Sequence, residues 1–138
     1  MKPTLQPGLE ARVEFDVDRE RTIDFMGEAA RVYATPVLVR DIEMACRNLL
    51  LAHLDSGEDS VGTRVEIDHI GATLLGMAVA LTVRVAEVNG RAVVFEVEGR
   101  DTVEPIVRGR HSRFVVDVAK TAQRLAAKAE KAKSARGG

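Results

Sequence analysis

Residues 9–17 alternate with period two. Leu9, Ala11, Val13, Phe15 and Val17 share one side, and Glu10, Arg12, Glu14 and Asp16 take the other. That pattern predicts a strand with one solvated face. Residues 18–29 are polar and mixed, which predicts a loop with a short helical turn around Ile23 to Met26. Arg31 to Ala34 predicts a brief extended piece. The period changes at Thr35-Pro36, which reads as a helix start: a hydroxyl at the N-cap and a proline at the first helical position. Leu38, Val39, Ile42, Ala45, Cys46, Leu49, Leu50 and Leu54 then form a broad helical stripe, closed by the polar run from Asp55 to Ser60.

From Gly62 onward the pattern is that of strands. Thr63, Val65, Ile67 and His69 share one face, and Arg64, Glu66 and Asp68 the other. Further strands are predicted through residues 77–88, 92–99 and 105–118, with Asn89-Gly90 as a hairpin signal between the first two. Residues 119–134 return to helical propensity, and residues 135–138 are expected to fray. The order of strand, long helix and several antiparallel strands predicts one α+β domain over residues 1–138. Its core spans 8–118, and a basic helical tail covers 119–138.

Composition narrows this picture. Aromatics make up only 4% of the 138 residues and Trp is absent, so the core must be aliphatic. No apolar run is long enough to span a bilayer, the N-terminus has no secretion-signal pattern, and the single Cys46 has no internal disulfide partner. A cytoplasmic setting without a membrane is the expectation. Net charge is −1, but residues 120–136 carry six cations against Glu130. With no aromatic platform, zinc spacing or helix-turn-helix pattern beside them, these cations read as a solvated helix face and not as a nucleic-acid site. No metal-ligand spacing and no phosphate-binding glycine loop is present.

His69 occupies a slot where the alternation asks for an apolar side chain. It is either a core histidine satisfied by a backbone carbonyl or a group poised for proton transfer. Glu43 borders the stripe of the long helix, where a carboxylate is costly unless paired. It is either a flanking charge near Arg40 or Arg47, or a functional acid. Cys46 reads as packing. His53, in the last turn, reads as a favourable partner of the helix dipole.

Four fragments then stand in register: Val32-Tyr33-Ala34-Thr35, Ile42-Glu43-Met44-Ala45-Cys46, Ser60-Val61-Gly62-Thr63 and Ile67-Asp68-His69. With Asn89-Gly90-Arg91 and Gly109-Arg110-His111-Ser112-Arg113, they resemble the fluoroacetyl-CoA thioesterase-like hot-dog-fold family over roughly residues 8–125. The resemblance implies an antiparallel sheet wrapped around one long central helix, working as a homodimer. It implies hydrolysis of an acyl-CoA thioester, with coenzyme A as part of the substrate and no separate cofactor or metal. Carried over by position, the catalytic set becomes Thr35, Glu43 and His69. Gly62 becomes a backbone contact to the acyl group, and Arg113 an arginine lining the acyl pocket.

The segment before the threonine departs from the family. Residues 24–31 are several residues shorter than the stretch that carries an aromatic lid in the namesake, so a small or medium acyl group other than fluoroacetyl is expected. Eight helical residues span about 12 Å, so Thr35 and Glu43 cannot touch inside one straight helix. Thr35 must fold back before the helix, or the two must act on different ends of the substrate. A noncatalytic acyl-CoA-binding module is the alternative function. A hydratase is disfavoured, because Asp41 and His53 lie about 18 Å apart along the helix.

Overall fold

The computed structural model describes residues 1–137, so part of the expected fraying at 135–138 lies outside the described residues. Five strands form one antiparallel sheet: β1 (Glu10–Asp16), β4 (Glu58–His69), β5 (Ala78–Asn89), β6 (Ala92–Asp101) and β7 (Pro105–Asp117). Their order is β1-β5-β6-β7-β4. A separate two-residue pair, β2 (Thr22–Ile23) with β3 (Val32–Tyr33), precedes the long helix α1 (Thr35–Leu51).

The core forms where the α1 stripe meets the inward residues of the sheet. Leu38, Ile42, Cys46 and Leu50 on α1 are fully buried with Leu81, Val83, Phe95 and Ile106. Each such aliphatic side chain contributes about 1.5–3 kcal/mol relative to an exposed position, which holds α1 firmly on the sheet. Gly99 lets the sheet close on this core, since a Cβ there would lie 2.6 Å from Leu81 and 2.8 Å from Val107.

The strand expectations hold with shifted boundaries. β4 begins at Glu58, inside the polar run expected to close the long helix, and before the Gly62 start expected for the strand. Its alternation breaks at a bulge between Gly62 and Arg64, so Ser60 and Gly62 face α1 before the bulge and Val65, Ile67 and His69 after it. The hairpin turn is Gly90-Arg91 and not Asn89-Gly90, because Asn89 pairs with Ala92. Only Gly90 has positive φ, at 59°, the pattern of a type II′ turn. Around Ile23 to Met26 the chain leaves β2 and makes a turn at Phe25-Met26, closed by the Gly27 N–H donating to Asp24 O at 2.9 Å, and two short 3-10 turns that the sequence did not indicate flank it at Arg19–Arg21 and Glu28–Ala30. Asp18 fixes the first by accepting from the Arg21 N–H at 3.0 Å. His53 lies just past α1, where its Nδ1 shares a 2.7 Å hydrogen bond with Thr4 Oγ1 and pins the N-terminal segment.

The final helix, α2 (Val118–Gly137), is continuous through the region expected to fray at 135–137 and has no buried residue. Among the described residues no helix is long and apolar enough to cross a membrane.

Candidate active site

Thr35 is the first residue of α1, not its N-cap; Ala34 holds the cap position without a side-chain hydrogen bond. The Thr35 hydroxyl is thus free of capping, and Oγ1 shares a 2.8 Å hydrogen bond with His69 Nδ1 at the end of β4. His69 Nε2 is shielded from solvent and has no hydrogen-bond partner among the described residues. The Tyr33 ring stands edge-on to the imidazole at 6.4 Å between centroids. Burial pushes the His69 pKa down, opposed by the nearby Gly71 backbone. Thr35 and His69 line an apolar cavity of about 450 Å³, whose other walls include Ile23, Phe25, Tyr33 and Ile70.

A polar chain on Tyr33 supports this end of the site. The Tyr33 hydroxyl donates to Asp41, which also accepts from Arg21 Nε at 3.0 Å, and Arg21 lies over the Phe15 ring at 4.5 Å. Burial first, then the Asp41 carboxylate, hold the phenol protonated well above its usual range. Asp41 is therefore committed to structure.

Glu43 lies two turns further along α1, among a second set of residues. A Cβ added to Gly62 would sit 2.8 Å from Glu43 Oε1, 3.2 Å from His111 Cε1 and 3.5 Å from Arg113 Nη1. The absence of a side chain at Gly62 thus creates the space that the carboxylate occupies. Arg113 is buried and each of its three guanidinium nitrogens donates one hydrogen bond: Nε to Ser60 Oγ at 2.7 Å, Nη2 to Ser60 O at 2.9 Å, and Nη1 to His111 Nε2 at 3.1 Å. His111 Nδ1 donates to Arg64 O at 2.8 Å, which fixes the neutral tautomer able to accept from Arg113. Burial keeps the His111 pKa low, with the Arg113 charge acting in the same direction. Cys46 closes this region as a packed thiol, pushed up to about 12 by burial.

The five residues singled out from sequence therefore form two groups within one chain. Thr35 meets His69, and Glu43 meets Gly62 and Arg113, while the helix rise keeps the groups about 12 Å apart. Sequence reading missed Ser60 and His111. His111 sits on the inward phase of β7 opposite Val65, so the same alternation argument that drew attention to His69 would have found it.

The two histidines make a testable contribution to stability. Both have folded pKa values below the ordinary 6.5, so below that value the unfolded chain binds more protons and folding stability falls with pH. The melting temperature should decline as pH drops from 6.5 toward 5. That window lies above the one in which the depressed carboxylates Glu28 and Glu58 titrate. A melting temperature constant down to pH 5 would contradict the burial of neutral imidazoles.

The architecture is that of hot-dog thioesterases. A Thermus thermophilus thioesterase superfamily member superposes with a TM-score of 0.87 at 30% identity, covering 96% of this chain and 98% of its own. The fluoroacetyl-CoA thioesterase FlK superposes at 0.82 with 28% identity, over 90% and 97% of the two chains. The model of the fluoroacetyl-CoA-specific thioesterase family matches residues 17–119. The curated fluoroacetyl-CoA thioesterase of Streptantibioticus cattleyicolor is 30% identical over 127 residues, 87% of this chain and 91% of that one. The chain belongs to this family and is a thioester hydrolase.

Proposed function

We propose that the protein hydrolyses the thioester of a small or medium acyl-CoA, with Thr35, Glu43 and His69 as its catalytic residues. The observation that carries this reading is the pair of polar groups held ready on one helix, one at its first residue and the other at its middle. One is a hydroxyl–imidazole hydrogen bond beside an apolar cavity. The other is a half-buried carboxylate that has no hydrogen bond or ion pair among the described residues.

Thioester cleavage requires attack on the carbonyl carbon, stabilisation of the oxyanion and protonation of the departing thiolate. Glu43 takes the first role, either by drawing a proton from water or by attacking directly. The backbone at Gly62 approaches the carbonyl oxygen, and the Thr35–His69 pair serves the acyl group and the leaving sulfur. Arg113 supplies positive charge beside the acyl pocket.

A homodimer would unite the two groups. β4 is an edge strand, and Val61 and Val65 on it are 43% and 40% exposed. An unpaired edge of 12 residues is a template for a second strand. Antiparallel pairing of β4 with its copy turns the His69 end of one strand toward the Gly62 end of the other. Glu43 of one subunit then approaches the Thr35–His69 pair of its partner, and the 12 Å separation within a chain ceases to be an obstacle.

The cavity volume falls within the range of small-molecule sites, about 300–1,000 Å³. Apart from Thr35 and His69 its walls are aliphatic and aromatic, which suits an apolar acyl group, and the short 24–31 segment is the ground for expecting an unfluorinated one. A thiol-release assay over saturated acyl-CoAs of two to ten carbons, with fluoroacetyl-CoA beside them, tests the reading. Turnover should peak on an unfluorinated acyl group. Activity on fluoroacetyl-CoA alone would refute the substrate assignment, and tight acyl-CoA binding with no thiol release would favour a noncatalytic binding module.

A further inference from the structure

Arg113 and Glu43 are a buried cation and a half-buried carboxylate on facing elements, yet they form no ion pair. Oε1 of Glu43 and Nη1 of Arg113 both border the space above Gly62, so a modest swing of the guanidinium would join them. Three hydrogen bonds on the two sides of Arg113 oppose that swing. Ser60 takes Nε and Nη2, and His111 Nε2 takes Nη1, with the imidazole itself anchored through Nδ1 to Arg64 O. We infer that His111 is a positioning residue for thioester cleavage: together with Ser60 it holds the Arg113 guanidinium away from Glu43 and keeps that carboxylate unpaired for attack.

A directly paired carboxylate is a weaker base and nucleophile than one that only feels a nearby cation, because the ion pair stabilises its charge in the ground state. The arrangement thus retains Arg113 as a local positive charge without spending Glu43 on a salt bridge. The other charged groups near Arg113 do not compete for this role. Arg47 on α1 is engaged with Asp59 on β4 at 2.7 Å and 3.0 Å, and Cys46 remains a thiol. Burial of His111 also works in favour of the arrangement, since an imidazolium could not accept from Arg113.

The inference rests on the catalytic role given to Glu43, and the two can be separated. In His111→Leu the acceptor is lost. We expect kcat to fall at least tenfold with KM changed less than threefold, and a crystal structure to show Arg113 Nη1 within 4 Å of a Glu43 oxygen. His111→Gln, whose side-chain oxygen can take the place of Nε2, should recover most of kcat and restore the unpaired geometry. Equal losses in both variants, or a guanidinium still on Ser60 and clear of Glu43 in His111→Leu, would overturn the inference. Should His111→Leu fail to fold, Ser60→Ala removes the hydroxyl hold on Nε and is expected to move kcat and the Arg113–Glu43 distance in the same directions; no change in either is the contrary result. If Glu43→Gln itself turns over normally, the catalytic reading fails, while the crystal structures still report whether His111 restrains Arg113.

Discussion

Glu43→Gln should reduce kcat by about 10²–10⁴-fold in the thiol-release assay, the range expected when a positioned base or nucleophile is lost. The substitution keeps the volume and the position on α1, so folding and acyl-CoA binding should be retained. The physical ground is the state of the carboxylate. Half-buried at the edge of the α1 stripe, it has no hydrogen bond or ion pair among the described residues to account for its desolvation. A carboxylate whose function was structural would be expected to carry such a partner, as Asp41 does with Tyr33 and Arg21. A variant within threefold of the parent would remove Glu43 from the mechanism. Thr35→Val, which deletes the hydroxyl on His69 Nδ1 at nearly constant volume, should cost less, because the imidazole remains in place.

Gly109→Ala should be the most damaging single-methyl change in the protein. Gly109 has φ of 155° on β7 and pairs with Ile67 on β4. A Cβ there would overlap the Glu66 carbonyl oxygen and lie 2.6 Å from Ile67 Cα. Both obstacles are backbone atoms of a paired strand, so relief requires β4 to move away from β7. A loss of more than about 3 kcal/mol is expected, at the severe end for single substitutions, and a melting temperature lower by roughly 10 °C. β4 carries Ser60, Gly62 and His69, so thiol release should fall together with stability. Gly90→Ala, in the open turn of the β5–β6 hairpin, is the internal comparison: it has positive φ but no nearby atom, and should cost less. Equal melting temperatures for the parent and Gly109→Ala would show that the β4–β7 ladder tolerates separation.

The two expectations differ in how far they could be read from the chain itself. That Glu43 is unusual follows from helical periodicity, because its place beside Ile42 puts it at the margin of an apolar stripe. That Gly109 is irreplaceable does not, since a lone glycine in a β-pattern gives no sign of which backbone will cross it. His69 was conspicuous because the strand that leads to it alternates and sets an apolar phase at its position. Local pattern shows its partner Thr35 only as a helix-start residue, with a capping role that competes with the hydrogen bond it forms, and the family resemblance alone marked it as a site residue. Ser60 closes the polar run read as the end of the long helix, and the bulge at Gly62 to Arg64 hid the phase that turns it inward.

Periodicity by itself determined the element order, the buried face of α1 and the aliphatic core, because burying apolar surface requires one face per element at a fixed spacing. The ordered fragments around Thr35, Glu43, Gly62 and His69 also sufficed to indicate the family. Only the tertiary structure decided which of those residues meet. Strand register, the bulge in β4 and the rise of α1 divide them into Thr35 with His69 and Glu43 with Gly62. Those contacts are set by pairing between segments distant in the chain, where a shift of one residue turns every side chain to the opposite face. Local pattern has no access to that choice, and the Arg113 restraint by Ser60 and His111 is one of its consequences.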